Sequence, residues 1–137
     1  MELKEIASLN GKSGLFRVVA PTRSGMILES LDESRAKLVI PATAKVSVLE
    51  EISMYTTTGE GTVPLKDVLI AVKARFGDNT GISPEAEPAE LATFMKAAVP
   101  DYDASRVYNS DIRKLIRWYG ILLKFAPEVL NAEAAPQ

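Results

Sequence analysis

The chain has 137 residues and a formal net charge of −2, and it contains no histidine and no cysteine. Those two side chains supply most general bases at neutral pH, most soft-metal ligands and the most reactive nucleophile. Their absence excludes most enzyme classes and any disulfide framework. A near-neutral charge creates no global field toward nucleic acid or membrane, and apolar runs such as Val68–Val72 are too short to span a bilayer.

Residues 1–58 are predicted to form a β half. Short apolar segments alternate with turn signals such as Asn10-Gly11. One helical turn is predicted at Leu49–Glu51, and the predicted strands are Leu15–Ala20, Met26–Leu31, Ala36–Ile40, Val46–Val48 and Ile52–Thr56. Strands this short and close leave no room for crossover helices, so they pair antiparallel. The pattern matches a small SH3-like or Tudor-like β-barrel.

The polar, glycine-rich residues 59–62 are the predicted linker to a three-helix domain over residues 63–125. Pro64 suits a first helical position, and apolar residues at helical spacing follow it as far as Gly77. A second helix is predicted to begin at Pro88 and to end before Pro100. The fold class is therefore α+β, with an antiparallel barrel followed by a three-helix bundle.

The third helix is predicted to begin after Ser110, a good N-cap, with Asp111 in its first turn. Its apolar stripe consists of Ile112, Leu115, Ile116, Tyr119, Leu122 and Leu123. Gly120 is unfavourable inside a helix, which indicates close approach of another backbone. Residues 126–137 are rich in Ala, Pro and Glu and are predicted to form a disordered tail.

Catalytic and ligand motifs are incomplete in this chain. Gly11-Lys12-Ser13 resembles the end of a phosphate-binding P-loop, but Ile6 occupies the required glycine position and a strand follows instead of a helix. We therefore predict a β-turn there. No catalytic, cofactor-binding or metal-binding residue is predicted, and the chain is expected not to be an enzyme.

The third helix carries the candidate partner-binding residues. They are Arg113, Lys114, Arg117, Trp118, Ile121 and Lys124. At about 100° per residue, the two arginines and Lys124 fall opposite the apolar stripe, and Trp118 lies at its edge. Such a face is suited to phosphates or an acidic peptide. A solvated face, with Trp118 covering the core between the halves, is the favoured interpretation.

Several segments resemble an uncharacterised family of short bacterial proteins. They are Leu9-Asn10-Gly11-Lys12-Ser13-Gly14-Leu15-Phe16, Gly25–Leu31, Val48–Thr56, Val63–Val68, Pro100–Asp103, Arg106-Val107-Tyr108, Ser110–Lys114 and Trp118-Tyr119. The resemblance covers about residues 1–124. It implies that the β half and the helical half occur together, and it brings no catalytic residue.

These patterns favour a cytoplasmic, non-enzymatic interaction or adaptor module whose partner is another protein. The alternative is a nucleic-acid-binding accessory protein that uses the basic face of the third helix. No membrane partner and no cofactor are expected. Each half has about 60 residues, a size at which a lone core is marginal. We therefore expect Trp118 to be largely buried and the two halves to unfold together.

Overall fold

The computed structural model describes residues 1–12 and 14–130, which form a mixed α+β fold. The strands are β1 (Ile6–Leu9), β2 (Phe16–Pro21), β3 (Gly25–Ser30), β4 (Lys37–Pro41), β5 (Val46–Val48), β6 (Ser53–Tyr55) and β7 (Thr62–Pro64). The α-helices are α1 (Leu65–Phe76), α2 (Pro88–Ala98) and α3 (Asn109–Phe125). Short 3-10 helices occupy Leu3–Glu5, Leu49–Glu51 and Pro127–Leu130.

The first five strands form an antiparallel sheet in the order β4-β3-β2-β1-β5. Within the described residues β4 and β5 do not pair with each other, so the sheet does not close into the predicted barrel. The set of strands also differs from the prediction, because β1 was not expected and Ser53–Tyr55 does not join this sheet.

The strand β6 pairs with β7 in a separate hairpin, with Tyr55 opposite Thr62. The predicted linker, residues 59–62, therefore forms the hairpin turn and the start of β7. Gly59 and Gly61 have φ values of 63° and 86° there, a left-handed conformation that favours glycine. The hairpin is joined to the α2–α3 connection, since the Thr57 amide donates to the Asp101 carbonyl at 2.8 Å.

The main hydrophobic core is shared by the sheet and the helices. From the N-terminal half it includes Leu3, Ile6, Leu15, Leu31 and Leu49, which pack with the buried faces of α1, α2 and α3. A second, smaller core on the opposite face of the sheet contains Leu9, Phe16, Leu28 and Ile40. Successive strand residues point to opposite faces, so β1 contributes Ile6 to the shared core and Leu9 to the smaller one.

The helices lie close to their predicted positions, with one difference at the start of α3. The N-cap is Tyr108 rather than Ser110, because the Asp111 carboxylate reaches back and accepts from the Tyr108 amide at 2.9 Å. The predicted apolar stripe is buried from Ile112 to Leu122, while Leu123 is half-buried.

Part of the predicted disordered tail is ordered. Ala126, Val129 and Leu130 are buried, and the turn Pro127–Leu130 contacts α1 and α3. The composition of residues 126–137 is polar overall, so it gave no sign that these few apolar side chains belong to the shared core. Residues 131–137 lie outside the described part of the chain.

Candidate functional site

The structure places the six candidate residues of α3 in four environments. Arg113 donates to the Ala86 carbonyl at 3.4 Å. The Lys124 ammonium lies 3.5 Å from the Glu33 carboxylate. Ile121 is half-buried beside the α1–α2 loop, in a cavity that Arg117 and Lys124 also line. The three that remain, Lys114, Arg117 and Trp118, all line one groove. That the basic face of α3 binds a partner stays a prediction.

The floor of this groove is one face of the β1–β5 ladder. Ser8 and Ser47 are directly paired across the two strands, and both line the groove. Strand alternation places Asn10, two residues after Ser8, and Lys45, two residues before Ser47, on the same face. The Asn10 amide donates to the Lys45 carbonyl at 2.9 Å, which extends the pairing beyond the strand ends.

The side wall is α3, and the turn between β1 and β2 closes one end. Lys114, Arg117 and Trp118 stand at i, i+3 and i+4, which places them on one helical face. Lys12 and Gly14 of the β1–β2 turn also line the groove. Together these elements enclose a cavity of about 520 Å³, open to solvent, that we call the basic groove.

The basic groove has a strongly positive lining. Lys12, Lys45, Lys114 and Arg117 are exposed, and no Asp or Glu is among the described residues that line it. Within the described part of the chain, none of these four cations forms a salt bridge. Clustered unpaired charges in a cleft focus the local field, so the groove attracts anions although the chain carries a net charge of −2.

A smaller cavity of about 270 Å³ adjoins the basic groove, and we call it the apolar pocket. Ser8, Ser47, Lys114 and Trp118 line both cavities, so the two lie side by side. The apolar lining consists of Ile52, Met54, Tyr55, Leu65, Val107, Leu115 and Trp118. The apolar pocket therefore lies between the N-terminal sheet, the β6–β7 hairpin and α3.

Arg106 and Asp111 line the apolar pocket but not the basic groove, and they define what we call the far side of the pocket. Both already have partners. The Arg106 guanidinium stacks over the Tyr55 ring at 5.3 Å and lies 3.9 Å from the Asp103 carboxylate. Hydrogen bonds from the Ser105 hydroxyl and amide, together with the nearby Arg106 charge, lower the pKa of the Asp103 carboxyl. Asp111 lines the pocket as well and is the carboxylate that caps α3.

Trp118 is largely buried, as expected: one side packs against the shared core and the other lines the two cavities. One expectation for α3 is wrong. Gly120 does not mark a close backbone approach, since a Cβ atom there would meet no described atom within 4 Å outside its own helix turn.

Sequence reasoning missed the groove residues that come from the β half. In the sequence Lys12 belongs only to an incomplete phosphate-loop pattern, and Lys45 has no local signal. Their proximity to α3 depends on the pairing of β1 with β5 and on the packing of the two halves, neither of which has a sequence motif.

Residues 1–12 and 14–130 contain no group of three or more Asp, Glu, His or Cys side chains placed to hold a metal ion. Among the helices described there, none is both long enough and apolar enough to cross a membrane.

The fold and the groove define a mixed α+β protein with a basic, tryptophan-lined groove where its sheet meets its helices. The chain belongs to the family described as Domain of unknown function (DUF6852), whose model matches residues 52–122. A second model, Domain of unknown function (DUF5606), matches residues 3–49. The resemblance to an uncharacterised family is thus confirmed. The border between the two models precedes β6, in line with the pairing of β6 with β7.

The chain is also similar to a solved structure. This is a solution NMR structure of a Bacteroides vulgatus protein from the Northeast Structural Genomics Consortium, with 35% sequence identity and a TM-score of 0.70. The match covers 91% of this chain and 88% of that one. No curated protein matches the chain.

Proposed function

We propose that the chain is a non-enzymatic protein-interaction module whose partner binds in the basic groove and the apolar pocket. One observation carries the proposal: four cations without salt-bridge partners in the described chain and a largely buried tryptophan line one groove, and the apolar pocket adjoins it. Tryptophan, tyrosine and arginine are enriched among residues that dominate binding energy, and they act from desolvated pockets with polar rims. Trp118 and Tyr55 line the pocket, and Arg117 and Lys45 lie on such a rim.

The strand order supports a finer proposal for the N-terminal half. The five-stranded sheet has the order β4-β3-β2-β1-β5 and is followed by the helical turn Leu49–Glu51. This arrangement is compatible with an open SH3-like sheet in which the strand expected to come last, β6, pairs with β7 instead of with the sheet. The helices α1, α2 and α3 share one core and would form the three-helix bundle that packs against this sheet. The proposal keeps the cytoplasmic location expected from the sequence.

A nucleic-acid-binding accessory function is the second candidate. The absence of carboxylates among the described residues lining the basic groove favours it, because phosphate contacts by Lys and Arg dominate nucleic-acid affinity. In this version the phosphates would bind in the groove rather than along the outer face of α3. The apolar pocket and the acidic balance of the whole chain favour the protein partner instead.

The test compares the wild-type chain with two double variants that change the net charge equally. Lys45→Glu with Arg117→Glu reverses charge in the basic groove, while Arg23→Glu with Lys96→Glu reverses two exposed cations outside it. Each chain is immobilised and exposed to native lysate with and without nuclease. Proteins that survive nuclease and are lost only from the groove variant are the expected result.

Two other outcomes count against the proposal. If retention disappears with nuclease in every chain, nucleic acid is the partner and the second candidate replaces the first. If the groove variant retains the same proteins as the wild type, the basic groove is not the binding site. Far-UV circular dichroism of each variant checks that the fold is preserved.

A further inference from the structure

We infer that the partner segment is an acidic peptide with one apolar anchor side chain, and that its acidic residues lie on one side of that anchor. This inference rests on the proposed function and specifies its ligand. It follows from the way charge and apolar surface are distributed between the two adjoining cavities.

The basic groove selects carboxylates. Lys12, Lys45 and Arg117 line this groove and do not line the apolar pocket. They come from three separate elements of the fold: the β1–β2 turn, the residue before β5, and α3. Hydroxyl and amide groups on the floor, from Ser8, Ser47 and Asn10, offer hydrogen bonds to its backbone.

The apolar pocket selects one side chain. Its volume of about 270 Å³ is slightly below the range of about 300–1,000 Å³ typical of small-molecule sites. Its aliphatic walls, among them Ile52, Met54 and Leu115, match a Leu, Ile, Met or Phe side chain. Full burial of such a side chain corresponds to about tenfold to hundredfold in affinity.

The far side of the pocket disfavours further acids. Asp111 lines the pocket, and Asp103 lies beside Arg106, the cation at that end. Arg106 stacks on the Tyr55 ring and lies beside the Asp103 carboxylate. Because that carboxylate partly neutralises its charge, Arg106 attracts a ligand carboxylate less strongly than an unpaired cation does. Acidic residues are therefore expected only on the side of the anchor that lies in the basic groove.

The same asymmetry favours a peptide over a single-stranded nucleic acid. Every base within a nucleic-acid strand, other than the two terminal ones, has a phosphate on both sides. A strand with an internal base in the apolar pocket would thus bring phosphate toward Asp111 and Asp103. A peptide can place its charge on one side only.

The test is an affinity selection on the full chain from a random library of 12-residue peptides. The enriched sequences are expected to share one apolar residue with three or more Asp or Glu on one side of it. The double variant Lys45→Glu with Arg117→Glu should lose this enrichment. The matched control Arg23→Glu with Lys96→Glu should keep it.

The selected peptide is then synthesised and titrated by the fluorescence of Trp118, the only tryptophan of the chain, which lines both cavities. Replacing the anchor by alanine should weaken binding at least tenfold. Moving the acids to the other side of the anchor should weaken it by a similar factor. These changes are made in the peptide, so the fold of the protein is not at risk.

The outcomes separate this inference from the proposed function. Selected peptides that depend on the groove cations but have no anchor, or have acids on both sides, overturn the inference and leave the interaction function standing. A selection that enriches nothing also overturns the inference. If the oligonucleotide dT12 binds more tightly than any selected peptide and competes with it, both the inference and the protein-interaction function are overturned.

Discussion

Replacement of Leu28 by alanine tests whether the sheet and the helices form one cooperative unit. Leu28 is fully buried on β3, and its core also contains Leu9, Phe16 and Ile40 but no helical residue. Truncation of a buried leucine to alanine costs about 2–5 kcal/mol. For a domain of this size, 1 kcal/mol shifts the melting temperature by roughly 3–5 °C. A cost of about 3 kcal/mol therefore lowers the midpoint by about 10 °C.

Two probes follow the unfolding of the variant. Trp118 fluorescence reports on α3, which belongs to the other core, and far-UV circular dichroism reports on the whole chain. Because the shared core joins residues of the sheet to all three helices, both midpoints should fall together and by the same amount. Val39→Ala is the control on the same sheet, since Val39 is 67% exposed and such changes stay within about 0.5 kcal/mol.

The reasoning would be refuted by separate transitions. If the Trp118 transition of Leu28→Ala overlays that of the wild type while circular dichroism shows an earlier loss of signal, the halves unfold independently. The basic groove would then be an interface between two autonomous domains rather than a feature of one.

Three further changes have defined effects. Gly120→Ala should stabilise the chain by up to about 1 kcal/mol in urea unfolding, because the position is helical and exposed, and no described atom outside its own helix turn lies within 4 Å of the added Cβ; a destabilised variant would contradict this. Tyr119→Phe should destabilise by about 1 kcal/mol, because the Tyr119 hydroxyl donates to the Gly77 carbonyl, and an unchanged midpoint would show that this hydrogen bond contributes nothing. The pKa of Asp103 is lowered from 3.8 in the folded chain, chiefly by hydrogen bonds from Ser105. The ionised carboxylate therefore stabilises the fold above pH 3.8, and this stabilisation is lost as the pH falls through the pKa that Asp103 has in the folded chain. Asp103→Asn should be less stable than the wild type at pH 7, and the difference should shrink below pH 3.8; a difference that does not change with pH would refute the role of the charge.

The sequence predicted the helices well because their signals are local. For α1 and α2, helical apolar spacing and the flanking Pro64, Gly77 and Pro88 define the ends to within a residue or two. The start of α3 was placed wrongly because Ser110 is a good cap in isolation. A competing interaction, from Asp111 back to Tyr108, decides the real position.

The strands were harder because their pairing is not local. The strand β1 was missed since Ile6, Ala7 and Leu9 are buried on both faces of the sheet, which removes the apolar–polar alternation of a half-buried strand. The strand β6 was predicted, but nothing within Ser53–Tyr55 shows that its partner is β7 rather than the main sheet. The basic groove depends on these pairings, so it could not be predicted from α3 alone.

The position of the groove links binding to stability, and this yields a last prediction. Its floor belongs to the β1–β5 ladder and its wall to α3, so it exists only while the sheet and the helices are packed together. A ligand that binds there binds the folded chain and not the unfolded one. At a concentration of 100 times Kd it should stabilise the fold by about 2.7 kcal/mol, which raises the melting temperature by about 10 °C. The selected acidic peptide should give this shift with the wild type and none with the variant Lys45→Glu, Arg117→Glu. A peptide that binds by Trp118 fluorescence yet leaves the melting temperature unchanged at that concentration would show that its site survives unfolding, and hence that it does not bind between the sheet and α3.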